Sequence, residues 1–195
     1  MNKRYTMIAI ILHWLIAAGI LAMFAFGWYM TELPREAPEQ TTYDLFDWGI
    51  YTWELTKSAS PRTFYFNLHK SIGITLLGLI IIRILWRISH KPPAALASYQ
   101  AWERKLSTSA HHLLYVLMLV IPTSGLIMSI AGKYGVKWFG LDFIAGFENK
   151  AVREIFHETH EIAGLILLAI VALHIVGALK HKFIDKDETM SRMLP

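Results

Sequence analysis

The chain has 195 residues, of which 54% are hydrophobic and 17% are charged, and it contains no cysteine. This composition is too apolar for an ordinary soluble domain, so a membrane protein is the first hypothesis. The absence of cysteine excludes disulfides, thiolate-bound metals, iron–sulfur clusters and covalently attached haem. The formal net charge of +4 comes from basic residues at the ends of apolar segments, which argues against nucleic-acid binding.

Four apolar segments predict membrane-spanning helices, because each is close to the roughly 20 residues that a helix needs to cross a bilayer. They lie at about 7–29, 64–85, 111–130 and 160–179. The first follows basic residues, as a signal peptide would, but it is long and lacks an Ala-x-Ala cleavage site before Thr31, so we expect a retained helix. We therefore predict an all-α fold, an integral membrane four-helix bundle that forms a single domain over residues 1–195.

The long connection between the first two predicted helices is rich in acidic and aromatic residues. Within it, Phe46, Ile50 and Trp53 recur at about helical spacing, and Trp48 adds a ring of the kind found in the headgroup layer. We therefore predict a short interfacial helix on the periplasmic side. Such a helix anchors the loop to the membrane surface or docks a partner, and anchoring is the more general use of these aromatic residues.

Basic residues indicate which way the chain crosses the membrane. Most of them flank the start of the first helix, the end of the second and the end of the fourth, which share one side. They are Lys3, Arg4, Arg87, Lys91, Arg104, Lys105, Lys180, Lys182, Lys186 and Arg192. The opposite side receives the acidic first connection, although the loop before the fourth helix also carries basic residues. The positive-inside rule therefore places both termini in the cytoplasm.

Four histidines occupy the predicted spans at two matched depths. His13 and His174 lie near the side that carries the termini, and His69 and His160 lie near the opposite side. Ionisable side chains inside a bilayer usually face the bundle interior or a functional centre. His160 and His174 are 14 residues apart, which puts them on one helix face and about 21 Å apart along the axis. Paired imidazoles from facing helices are suited to hold two electron-transferring haems.

The sequence alone leaves other roles for these histidines open. Each histidine taken singly is as well explained by a hydrogen bond to a neighbouring helix. His111 and His112 begin the third span near the terminal side, and either is an alternative ligand there. A zinc-protease HExxH motif beginning at His157 is excluded, because Glu161 stands where its second histidine is required.

Several segments resemble the bacterial cytochrome b561 family. They are Ile11–Leu15 in the first helix, Leu68–Gly73 in the second, the pair His160 and His174, and the tail Ala178–Leu194. The resemblance covers nearly the whole chain. Only the tryptophan-bearing connection between the first two helices is longer than in some members.

The resemblance implies a bacterial inner-membrane protein with two non-covalent haem b groups. It assigns His13 with His174 to the haem nearer the cytoplasm and His69 with His160 to the haem nearer the periplasm, the same pairing that the depths predict. Members of this family exchange electrons with ubiquinone, and one branch oxidises superoxide at the periplasmic surface. We therefore expect an oxidoreductase that passes electrons from superoxide or another donor to quinone.

Further residues are candidates for the two ends of this pathway. Lys70 is a candidate for attracting superoxide or for binding a haem propionate, and His181, two turns beyond His174, is a candidate quinone residue. Arg83 and Arg87 are candidates for fork-like hydrogen bonds to propionates. Snorkelling to lipid headgroups explains the basic side chains equally well, and an ordinary interfacial histidine explains His181.

Two other classes of function are open. The chain is alternatively a membrane electron-transfer subunit that serves a periplasmic redox partner protein, for which the long periplasmic connection offers a surface. A haem-free, histidine-lined transporter or zinc-handling membrane protein is a third hypothesis. The third hypothesis predicts a purified protein without visible absorption bands.

Overall fold

The computed structural model describes residues 4–50, 52–94, 96 and 99–194. Lys3, which contributes to the predicted orientation, lies outside the described residues. In the described part of the chain, four helices are long and apolar enough to cross a membrane. They are α1 (Met7–Glu32), α2 (Pro61–Ser89), α3 (Ala101–Ile130) and α4 (Lys150–Lys180). The predicted all-α four-helix bundle is confirmed.

Two of the helices begin well before the apolar segments that predict them. α3 begins at Ala101, where Gln100 and Glu103 form a capping box. α4 begins at Lys150, where the Asn149 side chain accepts a hydrogen bond from an amide of the first turn. Such caps satisfy backbone donors that have no partner within the helix. Local capping, rather than hydropathy, therefore sets where these two helices start.

The helices run alternately in opposite directions, with α1 packed on α2, α2 on α3 and α3 on α4. Both ends of the described chain therefore meet at one end of the bundle, where the Tyr5 amide donates to the Arg192 carbonyl at 3.4 Å. We call this end, formed by residues 4–6 and 181–194, the terminal end. The opposite end is the hairpin end, because the connections there fold into β-hairpins.

Two antiparallel hairpins cover the hairpin end in the described part of the chain. Their strands are β1 (Gln40–Asp44) with β2 (Thr52–Ala59), and β3 (Val136–Trp138) with β4 (Leu141–Ile144). The buried hydroxyl of Ser71 on α2 accepts a hydrogen bond from the Phe139 amide at 2.9 Å. The Trp138 indole donates to the Thr75 hydroxyl at 3.2 Å. The second hairpin is thus fixed against the span that carries His69.

The predicted interfacial helix around Phe46 and Trp53 is wrong, because this segment forms the first hairpin. Its only helical feature among the described residues is a three-residue 3-10 turn, Leu45–Asp47. Phe46 and Gly49 both have a left-handed backbone, with φ of 59° and 65°. The Asp44 carboxylate accepts a hydrogen bond from the Gly49 amide at 2.7 Å. This bond from a side chain to the backbone stabilises a tight turn in place of a helix.

The hairpin end has an aromatic core that fixes the outer turns of α1 and α2. Tyr43 stacks face to face on Phe64, with ring centroids 4.2 Å apart, and the Phe46 amide donates to the Tyr65 hydroxyl at 2.9 Å. Burying one large apolar side chain is worth about 1.5–3 kcal/mol, so this hairpin docks as a packed cap. The buried members of the core are Phe26, Met30, Tyr43, Phe64 and Tyr65.

A second buried cluster joins α3 and α4. Its members are Leu114, Leu117, Ala163 and Leu167. Ile20 and Phe24 of α1 pack against this cluster. The contact brings α4, which carries two of the four predicted ligands, up against α1.

Candidate metal centres formed by two histidine pairs

The first pair lies toward the terminal end. His13 on α1 and His174 on α4 face each other with ring centroids 6.3 Å apart and planes at 74°. His111 stands beside this pair, with its ring centroid 5.4 Å from that of His174. Its Nδ1 lies 2.6 Å from the Ser107 carbonyl one turn back on α3. One nitrogen of His111 is engaged with its own helix, and its ring lies closer to His174 than the roughly 6 Å that two imidazoles sharing a metal require. We therefore treat His111 as a neighbour of the pair.

The second pair lies toward the hairpin end. His69 on α2 and His160 on α4 face each other with ring centroids 6.4 Å apart and planes at 75°. The His160 Nδ1 donates to the Ile121 carbonyl on α3 at 2.8 Å, which leaves Nε2 available to bind a metal. The His69 ring packs on Phe26, with centroids 5.7 Å apart. Its Nδ1 is buried without a hydrogen-bond partner in the described structure, which is typical of a site completed by another group.

α4 supplies one ring to each pair because it is a continuous helix from Lys150 to Lys180. His160 and His174 are 14 residues apart on it, so they point to nearly the same side and stand about 21 Å apart along the axis. Each of the four imidazoles is only partly buried. One helix face therefore carries one ring of each pair, at two depths of the bundle.

Both pairs have the geometry of a centre with two axial imidazoles. Imidazole nitrogens bind transition metals at about 2 Å, so a metal midway between two such rings requires ring centroids roughly 6 Å apart. The observed separations of 6.3 and 6.4 Å meet this requirement. Two neutral imidazoles per centre are also the ligand set of electron-transferring b-type haem. The residues present therefore fit haem b.

The structure places Arg83 and Arg87 together at the terminal end. They line a cavity of about 50 Å³ with other basic residues, among them Arg4 and Lys91. The Arg83 Nε donates to the Tyr115 hydroxyl at 3.3 Å. Arg83 also lies within electrostatic reach of both rings of the terminal-end pair. This cavity is positively charged and adjoins that pair, as anionic propionates require.

Lys70 lies beside the hairpin-end pair and is partly buried. Arg153 on α4 is close enough to Lys70 for their charges to interact, and His157 is similarly close to His160. Arg153 and His157 were not predicted as neighbours of this pair. Their spacing of seven and three residues before His160 was the available signal, because that spacing puts all three on one helix face.

His181 is engaged in holding the C-terminal tail. Its Nδ1 lies 2.8 Å from the Asp187 carboxylate and 3.0 Å from that of Asp185, and its ring stacks on Tyr99 with centroids 4.7 Å apart. Asp187 also accepts a hydrogen bond from the Thr189 amide at 2.8 Å. These contacts give His181 a structural role, and its predicted role beside a quinone stays a prediction.

Four membrane-length helices with imidazoles facing each other in pairs define the class of membrane cytochromes that hold haem in a bundle core. The chain belongs to the prokaryotic cytochrome b561 family, whose family model matches residues 4–195. This membership makes it a multi-pass bacterial membrane protein that binds haem b and carries out transmembrane electron transfer.

Several relatives match the chain over nearly its full length. It is 34% identical to cytochrome b561 homolog 2 of Escherichia coli, over 98% of this chain and 92% of the relative. It is 26% identical to cytochrome b561 homolog 1 of the same organism, over 99% and 98%. It is also 24% identical to the probable superoxide oxidase CybB of Yersinia pestis, over 100% and 98%.

Proposed function

We propose that this protein holds two haem b groups, one between His13 and His174 and one between His69 and His160, and conducts electrons between the two faces of the membrane. The observation that carries the proposal is the pair of facing imidazoles at each depth, with nearly equal separations of 6.3 and 6.4 Å. A haem with two axial imidazoles has no open coordination site and passes single electrons instead of binding oxygen.

The chain's own residues hold and orient these groups. The hydrogen bond from His160 Nδ1 to the Ile121 carbonyl supports one ring orientation and one tautomer. Arg83 and Arg87 offer fork-like donors to propionates at the terminal end. The two pairs span about 21 Å along α4, so electrons cross most of the apolar layer within one protein.

We place the terminal end in the cytoplasm and the hairpin end in the periplasm of the bacterial inner membrane. The terminal end carries a concentration of arginine and lysine around the cavity and along the tail. Positively charged segments near helix ends are retained on the cytoplasmic side. The single domain predicted over residues 1–195 is part of the same proposal.

The donor that fits the hairpin end best is superoxide. Lys70 and Arg153 place two positive charges close to the hairpin-end pair, and positive charge raises the local concentration of a small anion. One relative is a probable superoxide oxidase, which supports the same donor. In the overall reaction two superoxide anions each lose one electron and become oxygen. Ubiquinone gains both electrons with two protons and becomes quinol.

A second candidate function is that of an electron-transfer subunit serving a periplasmic redox protein. One observation favours it: the first hairpin exposes Trp48 and Ile50, at 68% and 79% of their surfaces. Exposed apolar side chains of this kind suit a protein interface as well as the lipid headgroup layer. The two candidates differ in whether the isolated chain oxidises a small donor.

Stopped-flow mixing of the purified, haem-loaded protein with superoxide separates the candidates. We expect rapid appearance of the reduced haem absorption bands, followed by reoxidation when a soluble ubiquinone is added. Superoxide dismutase is the control, because it removes the donor and should abolish the reduction. Haem that dithionite reduces but superoxide leaves oxidised would reject the superoxide route and favour the partner-protein function.

A further inference from the structure

The His160 ring rests on one turn of α3. Its Nδ1 donates to the Ile121 carbonyl at 2.8 Å, and the Ser124 hydroxyl donates to the same carbonyl at 2.8 Å. A Cβ added at Gly125 would lie 3.0 Å from both Cε1 and Nδ1 of the ring. The edge of the imidazole that carries Nδ1 therefore lies directly against the backbone of α3, and only glycine leaves room for it.

Pro122 and Ser124 belong to the same turn of α3 as the Ile121 carbonyl. Pro122 has no amide proton, so α3 lacks the hydrogen bond that this position would donate to the carbonyl four residues earlier. The Ile121 carbonyl, one residue before Pro122, receives two side-chain donors. Ser124 is only 2% exposed, so its hydrogen bond is shielded from water.

We propose that Ile121–Gly125 is a positioning cradle for His160, which fixes the proton on Nδ1, presents Nε2 toward His69 and sets how strongly this imidazole donates electrons. The cradle rests on the proposed function, because donor strength has an effect only where His160 binds a haem iron. An imidazole that donates its other N–H to a carbonyl is a more basic ligand. A more basic axial ligand stabilises ferric haem and lowers the midpoint potential.

Gly125→Ala tests the cradle. The added methyl group pushes the ring away from the Ile121 carbonyl, whereas alanine itself favours a helix more than glycine does. Gly78→Ala is the matched control, because a Cβ there meets nothing within 4 Å. The readout is a redox titration of the visible haem bands in the full-length purified protein. His13→Ala, which retains only the hairpin-end pair, assigns the two components of the titration.

We expect Gly125→Ala to raise the midpoint potential of the hairpin-end haem or to release that haem. The midpoint potential of the terminal-end haem should stay unchanged. Gly78→Ala should match the wild type. Unchanged midpoint potentials for both haems in Gly125→Ala, or equal shifts of both potentials, would overturn the cradle. Either result would leave the proposed function intact. A wild-type protein that binds no haem after haem-replete expression would instead overturn the proposed function, and the cradle with it.

Ser124→Ala supplies a second test should Gly125→Ala fail to yield folded protein. Removing the hydroxyl takes away one of the two side-chain donors to the Ile121 carbonyl and leaves that of His160. The remaining hydrogen bond should strengthen, and the potential of the hairpin-end haem should fall. An unchanged or higher potential for that haem would overturn the cradle.

Discussion

Trp53 of the first hairpin stacks on Phe139 of the second, with ring centroids 6.3 Å apart and planes 13° apart. The two hairpins come from the connections between α1 and α2 and between α3 and α4, so this contact joins distant parts of the chain. Ser71 adds a link to α2, because its hydroxyl accepts a hydrogen bond from the Phe139 amide. The cap therefore holds the helix that carries His69 against the connection that precedes His160.

Ser71→Ala should loosen this cap. We expect a loss of about 1–3 kcal/mol in the free energy of unfolding, because the Phe139 amide loses its acceptor at a partly buried site. The measurement is the thermal midpoint in detergent, together with amide exchange over residues 136–144. Thr159→Ala is the control, since in the described part of the chain that hydroxyl donates to a carbonyl of its own helix at an exposed site. Equal midpoints for the two variants would show that the hairpin does not depend on Ser71.

Gly19 allows α1 to approach α2 closely. A Cβ at Gly19 would stand 2.6 Å from Cδ2 of Leu76, so Gly19→Ala must displace that side chain. Overpacking of this kind typically costs about 1–3 kcal/mol. We expect a lower thermal midpoint for Gly19→Ala than for Gly78→Ala, whose Cβ meets nothing within 4 Å. A midpoint at or above that of the control would mean that Leu76 relaxes without cost.

Asp187 ties the tail to the end of α4. Burial alone would raise the pKa of its carboxyl, but hydrogen bonds from Thr189 and His181 outweigh burial and lower the pKa below the usual 3.8. A carboxylate with a lowered pKa stabilises the folded state at higher pH, and its contribution is lost as the pH falls through the folded pKa. The tail should therefore stay protected from amide exchange at neutral pH and lose protection only below the usual carboxyl range.

Asp187→Asn should expose the tail at neutral pH, because a neutral amide binds His181 and the Thr189 amide more weakly than a carboxylate does. The measurement is amide exchange over residues 188–194. Glu188→Gln is the matched control, since its carbonyl, rather than its carboxylate, takes part in the tail's hydrogen bonds. Identical exchange in both variants would remove Asp187 as the tether.

Lys70→Gln should slow the reduction of the protein by superoxide several-fold at low ionic strength. The lost charge no longer attracts the anion toward His69, so the rate should also depend less on salt. Lys133→Gln is a suitable control, because Lys133 is at the same end of the bundle with its ammonium over the Tyr134 ring. An unchanged rate constant and salt dependence in Lys70→Gln would mean that the donor arrives elsewhere.

Hydropathy predicts the four spans from sequence because each must match the thickness of the bilayer. Depth along the spans also predicts which histidines meet, and the structure brings those same rings within 6.4 Å. The first hairpin was not predictable in this way. The helical spacing of Phe46, Ile50 and Trp53 is coincidental, whereas the turn depends on left-handed backbone and on the hydrogen bond from the Gly49 amide to Asp44.

The neighbours of the hairpin-end pair were missed for a different reason. The apolar segment that predicts the fourth span begins near His160, whereas the capped helix begins at Lys150 and includes Arg153 and His157. A hydropathy window gives no weight to a polar helical extension. Only the cap at Asn149 marks its start.

Haem content per chain is the most decisive measurement, because each histidine pair is proposed to hold one haem b. We predict two haems in the wild type, one in His160→Ala and one in His174→Ala. The two variants should lose different components of the redox titration. His111→Ala should keep both haems, although its ring centroid lies only 5.4 Å from that of His174. A colourless wild type, or two intact haems in His160→Ala or His174→Ala, would show that these histidine pairs do not hold the haems.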